Sequence, residues 1–129
     1  DIIPIKRPRP TSLAAAVQSK PLLVEGGAVA IRGEDARYNR AAVALTNRRT
    51  LVLAGAFESF GRAVTLKEFA TFLVALRGLD NLEVETALAM DGGPGAQLYF
   101  PALSRNYGDS EANYVPNVIY LQRAEDRSR

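Results

Sequence analysis

The sequence predicts an α+β fold: a mostly β mixed sheet with one main amphipathic helix at about residues 65–77. Three observations carry that expectation. Apolar runs of strand length recur between turn signals. One segment combines helical periodicity with a helix-start signal. One apolar run, too brief for a helix, ends abruptly in Asp91-Gly92-Gly93-Pro94-Gly95. A chain of 129 residues, 47% hydrophobic and 23% charged, is of one-domain length and can bury roughly two-thirds of its unfolded surface.

Residues 1–12 read as an extended basic arm, because Pro4, Pro8 and Pro10 stand among Lys6, Arg7 and Arg9. Proline donates no backbone hydrogen bond and fixes φ. Residues 13–17 are apolar and long enough for a helical turn or two. Residues 21–31 read as strand, turn and strand, with Gly26-Gly27 supplying the positive φ angles of a two-residue hairpin. Residues 32–39 are polar and read as a loop. Residues 40–46 and 50–57 form a second pair of strands joined by Asn47-Arg48-Arg49, and their small and β-branched residues suit a covered sheet.

The helix begins with Thr65-Leu66-Lys67-Glu68, a capping box in which the threonine oxygen accepts an early amide and the glutamate reaches back to the cap amide. Val64 and Phe69 are placed for a hydrophobic staple. Leu66, Phe69, Ala70, Leu73 and Leu76 repeat at helical spacing, Phe72 and Val74 widen the apolar face, and Gly78 suits the stop. Residues 86–90 read as a buried strand running into the Asp-Gly-Gly turn, and residues 97–100 resume as strand. Residues 103–113 are polar, contain Gly108 and read as a loop. Residues 115–121 read as the last strand, and residues 123–129 as a charged tail. Residues 13–122 are thus expected to form one domain.

The absences restrict the chemistry. With no cysteine and no histidine there is no disulfide, thiolate nucleophile, serine–histidine machinery or imidazole and thiolate metal site. Acid–base work must rest on carboxylates, tyrosines, lysines or water, and paired carboxylates can run glycoside chemistry. No metal or other cofactor is expected. A net charge of +2 discriminates little among partners. The arm and Arg48-Arg49 lack the aromatic and glycine pattern of a nucleic-acid binder, so nucleic acid is not an expected partner. No stretch approaches the roughly 20 apolar residues of a membrane span. No signal-peptide pattern is present, and the chain opens on Asp1, as a processed or truncated product would.

The glycine-rich loop lacks the Gly-Lys-Ser/Thr end of a phosphate loop, the helix that follows a dinucleotide loop, and the alternating carboxylates of a calcium loop. Two readings of Asp91 stay open. It is an acid at the end of a buried strand, where glycines permit close approach of a ligand, or an acid that only bonds nearby amides in an Asx-type turn.

The order of these motifs resembles the phosphodiester glycosidase family, which includes the enzyme uncovering mannose 6-phosphate on lysosomal proteins and many exported bacterial proteins linked to exopolysaccharide. The resemblance runs from about residue 17 to about residue 121. Gln18-Ser19-Lys20-Pro21 is similar to the family's Gln-Ser-Gly-Pro segment, with lysine for glycine. Arg40 stands where an arginine leads a strand, residues 65–76 match the Thr-Leu-x-Glu helix, and Asp91, Gly92 and Gly93 match the Asp-Gly-Gly loop. Asn117 matches the asparagine of the terminal strand, and Glu58 sits loosely where an acid precedes the helix. Gly95 and Ala96 replace the family's loop serines, and its N-terminal strands are missing. The chain therefore reads as the C-terminal part of such a domain.

That resemblance implies hydrolysis of a sugar–phosphate diester in a glycan or exopolysaccharide-type substrate. Asp91 is implied as the catalytic carboxylate, Arg40 as the anion clamp, Gly92 and Gly93 as close-approach backbone, and Asn117 as a hydrogen-bonding positioner. Each has a bland counterpart: Arg40 a surface charge, Asn117 a strand-end polar group, Glu58 a solvated acid. The alternative function is a non-catalytic carbohydrate-binding or assembly module on the same scaffold, to which the missing serines point. A companion N-terminal polypeptide or a homo-oligomer is expected to cover an open sheet edge. The family's exported members imply a periplasmic or secreted location.

Overall fold

The structure is a computed structural model that describes residue 2 and residues 16–33, 35–58, 63–108 and 118–121. The expected arm apart from Ile2, the residue Asn117 and the charged tail lie outside the described residues. So does most of the helical turn expected at 13–17, of which Ala16 and Val17 carry no regular structure.

Among the described residues the chain forms one α-helix and seven strands. β1 (Leu22–Glu25) and β2 (Ala28–Val29) make a tight hairpin, with Gly26 and Gly27 at φ 57° and 77° as the turn demands. β3 (Arg40–Thr46) and β4 (Leu51–Ala56) make the second hairpin. α1 (Leu66–Asp80) leads to β5 (Val84–Ala89), and β6 (Gln97–Phe100) pairs with β7 (Arg105–Gly108). The main sheet has the order β2-β1-β5-β3-β4, with every ladder antiparallel, so the last of its strands in sequence lies at its centre.

Residues that pair across a ladder share a face of the sheet. Ala42 pairs with Ala89 and Ala54, and Ala44 with Ala87 and Val52, while Val24 meets Ala87. This face packs on Phe69, Ala70, Leu73 and Leu76 of α1 in one buried cluster. Alanines at the middle of the sheet let the helix axis approach closely, so the bulk of the core is supplied from the helix side. A register shift between Leu22 and Val24 places Leu23 opposite no partner, and both Leu23 and Val24 are fully buried. The extra residue of a bulge is what turns two successive side chains inward.

The capping box forms as the sequence predicts. Glu68 N–H donates to Thr65 Oγ1 at 3.1 Å, and Thr65 N–H donates to Glu68 Oε2 at 2.9 Å. Val64 packs against the same cluster as Phe69. Two details of the helix differ from expectation. Gly78 does not end it: α1 continues to Asp80, and the left-handed residue that stops it is Asn81 at φ 55°. Asparagine tolerates that conformation because its side chain bonds locally. Phe72 does not join the apolar face; it is 47% exposed, since the buried arc is already filled by residues 69, 70, 73 and 76.

The other face of the sheet is covered differently. Phe57, just past β4, folds back over Gly55, where a Cβ would lie 2.4 Å from the ring. Tyr107 stacks on Phe57 at 6.5 Å between centroids, and Phe100 meets Tyr107 edge-on at 6.0 Å. Residues 103–113 are therefore not all loop: β7 lies inside that stretch. Its polar composition follows from its place in a two-stranded surface ribbon, where Arg105 and Asn106 are exposed. The backbone pairs closely enough that a Cβ on Gly108, at φ 115°, would meet Ala96 O at 2.4 Å. The expected last strand is not found in residues 118–121, which carry no regular structure. Val118, Tyr120 and Leu121 are exposed there, so this apolar run is not packed into a sheet.

Candidate functional site

The central strand β5 delivers the Asp-Gly-Gly turn to one end of the sheet. Three backbone bonds pin the way into and through that turn. Ala89 N–H donates to Pro21 O at 3.0 Å, Met90 N–H to Ala41 O at 2.8 Å and Gly93 N–H to Asn39 O at 2.9 Å. The turn is thus clamped between the lead into β1 and the start of β3. At Gly92 it is close approach rather than φ that favours glycine: a Cβ there would lie 3.2 Å from Asn39 O, tighter than an ordinary contact, and 3.5 Å from Arg40 Nη1. Gly93 needs its freedom for φ, at 61°. Asp91 is exposed, and its Oδ1 accepts the Gly92 N–H at 2.9 Å.

Arg40 opens β3 beside this turn, with its side chain only 13% exposed. Its Nε donates to Val64 O at 3.2 Å and its Nη2 to Ala36 O at 2.6 Å and to the Asp35 carboxylate. The guanidinium carbon stands 5.4 Å from the centre of the Tyr38 ring. With two nitrogens committed, Nη1 is the one that meets no acceptor among the described residues, and it is the one turned toward Gly92. A free guanidinium offers a two-pronged fork to an anion. Here the committed Nη2 leaves a single donor nitrogen, fixed in direction.

Arg40, Asp91 and Gly92 line one cleft of about 1010 Å³, together with Gln18, Ser19 and Gln97. The segment that leads into β1 and the Asp-Gly-Gly turn, far apart in sequence, therefore meet at one site. Gly93 backs the turn through its bond to Asn39. Glu58 is exposed and does not line the cleft; its N–H donates to Asn39 Oδ1 at 2.7 Å. Gly95 lines the cleft and Ala96 is buried beside it, so neither brings a hydroxyl to the site. Two residues escaped the sequence reading. Asn39 holds Gly93 through its carbonyl and Glu58 through its side chain, and Asp35 holds Arg40. Both lie in a stretch with no periodicity, where only the proximity of an acid to Arg40 could have drawn notice.

Chemically, the arrangement presents one oriented cationic donor nitrogen and a solvent-reachable carboxylate on either side of a glycine that admits a ligand to the backbone. No group of three or more carboxylates suited to a metal ion occurs among the described residues. No helix among them is long and apolar enough to cross a membrane.

No curated protein and no solved structure matches the chain. The model of one family, described as phosphodiester glycosidase, matches residues 2–122. That span is nearly the whole sequence, and it takes in the helix with its capping box, the strand led by Arg40 and the Asp-Gly-Gly turn. The chain belongs to the phosphodiester glycosidase family.

Proposed function

We propose that the chain contributes a site for hydrolysing a sugar–phosphate diester carried by a glycan or exopolysaccharide. The observation that supports this most is the meeting of Arg40 Nη1 and the Asp91-Gly92 turn on one cleft. Arg40 takes the role of donor to the phosphate, whose negative charge grows as the bond breaks. Asp91 takes the role of the carboxylate that stabilises an oxocarbenium-like centre or draws the proton from attacking water. The water oxygen bonds to the anomeric carbon, and the bond from that carbon to the phosphate oxygen breaks. Its electron pair leaves with a phosphate monoester, and the sugar departs as the free hemiacetal. Gly92 and Gly93 let the substrate reach the backbone, and Asn117 is assigned to positioning. We place this activity outside the cytoplasm, in the periplasm or in secreted form, following the exported members that the motifs resemble.

A turnover assay on a chromogenic sugar phosphodiester tests the reading. Asp91→Asn should lower the rate by about a hundredfold or more, the scale of a lost acid–base group. A variant as active as the parent removes Asp91 from the mechanism. A second reading, a carbohydrate-binding or assembly module, is favoured by the bond from Gly92 N–H to Asp91 Oδ1 and by the absence of hydroxyls at Gly95 and Ala96. Calorimetric binding of the same diester without any turnover would establish it.

Association with a further chain also has support. Among the described residues β4 forms a ladder with β3 alone, and its sequence Leu-Val-Leu-Ala-Gly-Ala carries no charge to discourage pairing. A second copy is the occupant we propose, because antiparallel pairing of two β4 strands brings the exposed Arg48 at one end toward Glu58 of the other copy. Light scattering that finds a folded monomer overturns it.

A further inference from the structure

We propose that Asp35 is a positioning residue for Arg40, and that it ties the direction of the guanidinium to the start of α1. The inference rests on the assignment of Arg40 to the phosphate. Asp35 uses its two oxygens on two different elements: Oδ2 accepts from Arg40 Nη2, and Oδ1 accepts the Leu66 N–H at 2.9 Å. The Leu66 amide is one of the helix-start donors that no helical carbonyl can reach. The neighbouring Thr65 hydroxyl already accepts the Glu68 N–H, so Asp35 is the acceptor that takes the Leu66 amide.

The same carboxylate then fixes Arg40. Val64 O and Ala36 O take two of its remaining N–H groups, and Val64 is itself held to Tyr38 by a reciprocal pair of backbone bonds at 3.2 Å. The guanidinium plane is thereby set by three acceptors from two segments that meet at the helix start, and Nη1 is left pointing at Gly92. Asp35 also offsets part of the guanidinium charge. The site therefore gives up some attraction for an anion and gains a donor of fixed direction, which favours a group whose charge develops at one place during the reaction.

Asp35→Asn separates the two tasks. Asparagine keeps an oxygen for the Leu66 amide, but its NH2 group, set against Arg40, opposes donor to donor. In the intact chain two measurements read the result. The first is solvent exchange of the Arg40 Nε–H by nitrogen-15 magnetic resonance: slow in the parent, and markedly faster in Asp35→Asn while the unfolding midpoint stays near the parent's. The second is the kinetic split on the chromogenic diester in a cycle with Arg40→Ala. Asp35→Asn alone should weaken kcat/KM by about tenfold, the scale of one charge-assisted hydrogen bond. In the Arg40→Ala background it should add nothing, because Asp35 acts through Arg40. Unchanged exchange at Arg40, or additive losses in the cycle, overturns the proposal. A parent chain that turns over no diester defeats the hydrolase reading, and the exchange measurement then decides the positioning claim alone.

Discussion

The two faces of the main sheet are covered by layers of different kinds. On one side α1 lays Phe69, Ala70, Leu73 and Leu76 over a floor of small strand residues, and most of the buried apolar side chains belong to that contact. On the other side β6 and β7 attach through Phe57, on which Tyr107 stacks while Phe100 meets Tyr107 edge-on, with a glycine at the tightest approach. The helix layer stabilises by area removed from water, which is insensitive to small shifts. The hairpin layer depends on a few contacts of defined geometry, and such regions open locally at lower cost. The cleft lies against the hairpin layer, with Gln97, Tyr99 and Phe100 among its lining. The same cleft is also lined by Leu66 of α1 and by Ala42, Ala54 and Ala89 of the floor beneath the helix, so the site takes in both layers where they meet at the end of the sheet.

The largest expected effect falls on the helix layer. Phe69 is 1% exposed, and Phe69→Ala should cost about 3–5 kcal/mol through lost transfer energy and the cavity left behind. Denaturant unfolding followed by circular dichroism measures it. A loss well under that range would mean that the hairpin side carries as much of the stability as the helix side, and the comparison would break.

A smaller and more local effect is expected from Gly108→Ala. The position combines φ of 115° with a Cβ that would strike Ala96 O at 2.4 Å, and left-handed strain alone costs about 1–3 kcal/mol. Hydrogen exchange should show the β6 amides opening more readily while those of α1 keep their protection. Equal loss of protection on both faces would show that the layers unfold as one unit.

The two layers also differ in how far the sequence revealed them. The helix was legible because its signals are local: Thr65 and Glu68 stand three residues apart, and the apolar positions recur within a few turns. The hairpin of Gly26 and Gly27 and the strands at 40–46 and 97–100 were legible for the same reason. β7 was not, because a surface ribbon need not alternate polar and apolar residues, and Gly108 reads as a loop residue until its partner strand is known. The helix end was misplaced because Gly78 is the commoner stop, while Asn81 takes the left-handed role. At the candidate site, the Asp91-Gly92 turn stood out as a motif in the sequence, whereas Arg40 was singled out only by the family resemblance. Asp35 and Asn39 could not be read: Asp35 ties Arg40, five residues on, to Leu66, 31 residues on, Asn39 reaches Glu58, 19 residues on, and no period links them.

The smallest expected effect sharpens the comparison at the helix start, where the two halves of the capping box can be parted. Thr65→Ala removes the oxygen that receives Glu68 N–H, and it should lower stability by about 1 kcal/mol, the ordinary worth of such a cap. It leaves the backbone N–H of residue 65, which donates to Glu68. That amide is the chief reason the Glu68 carboxyl titrates below its ordinary 4.5, followed by the Arg37 guanidinium 2.5 Å away. A carboxyl lowered in the folded state binds its proton more readily when unfolded, so its contribution is present above the ordinary value and fades as pH falls through the lowered one. Thr65→Ala should therefore shift the unfolding midpoint down at all pH values yet keep the loss on acidification. Glu68→Gln should instead flatten the part of the acid limb that this carboxyl contributes, because no carboxyl remains at position 68 to be protonated. Midpoints measured from neutral pH down past the carboxylate range, in parent and both variants, check it. If Thr65→Ala abolished the acid dependence, the threonine hydroxyl rather than the backbone amide would be what holds Glu68 ionised.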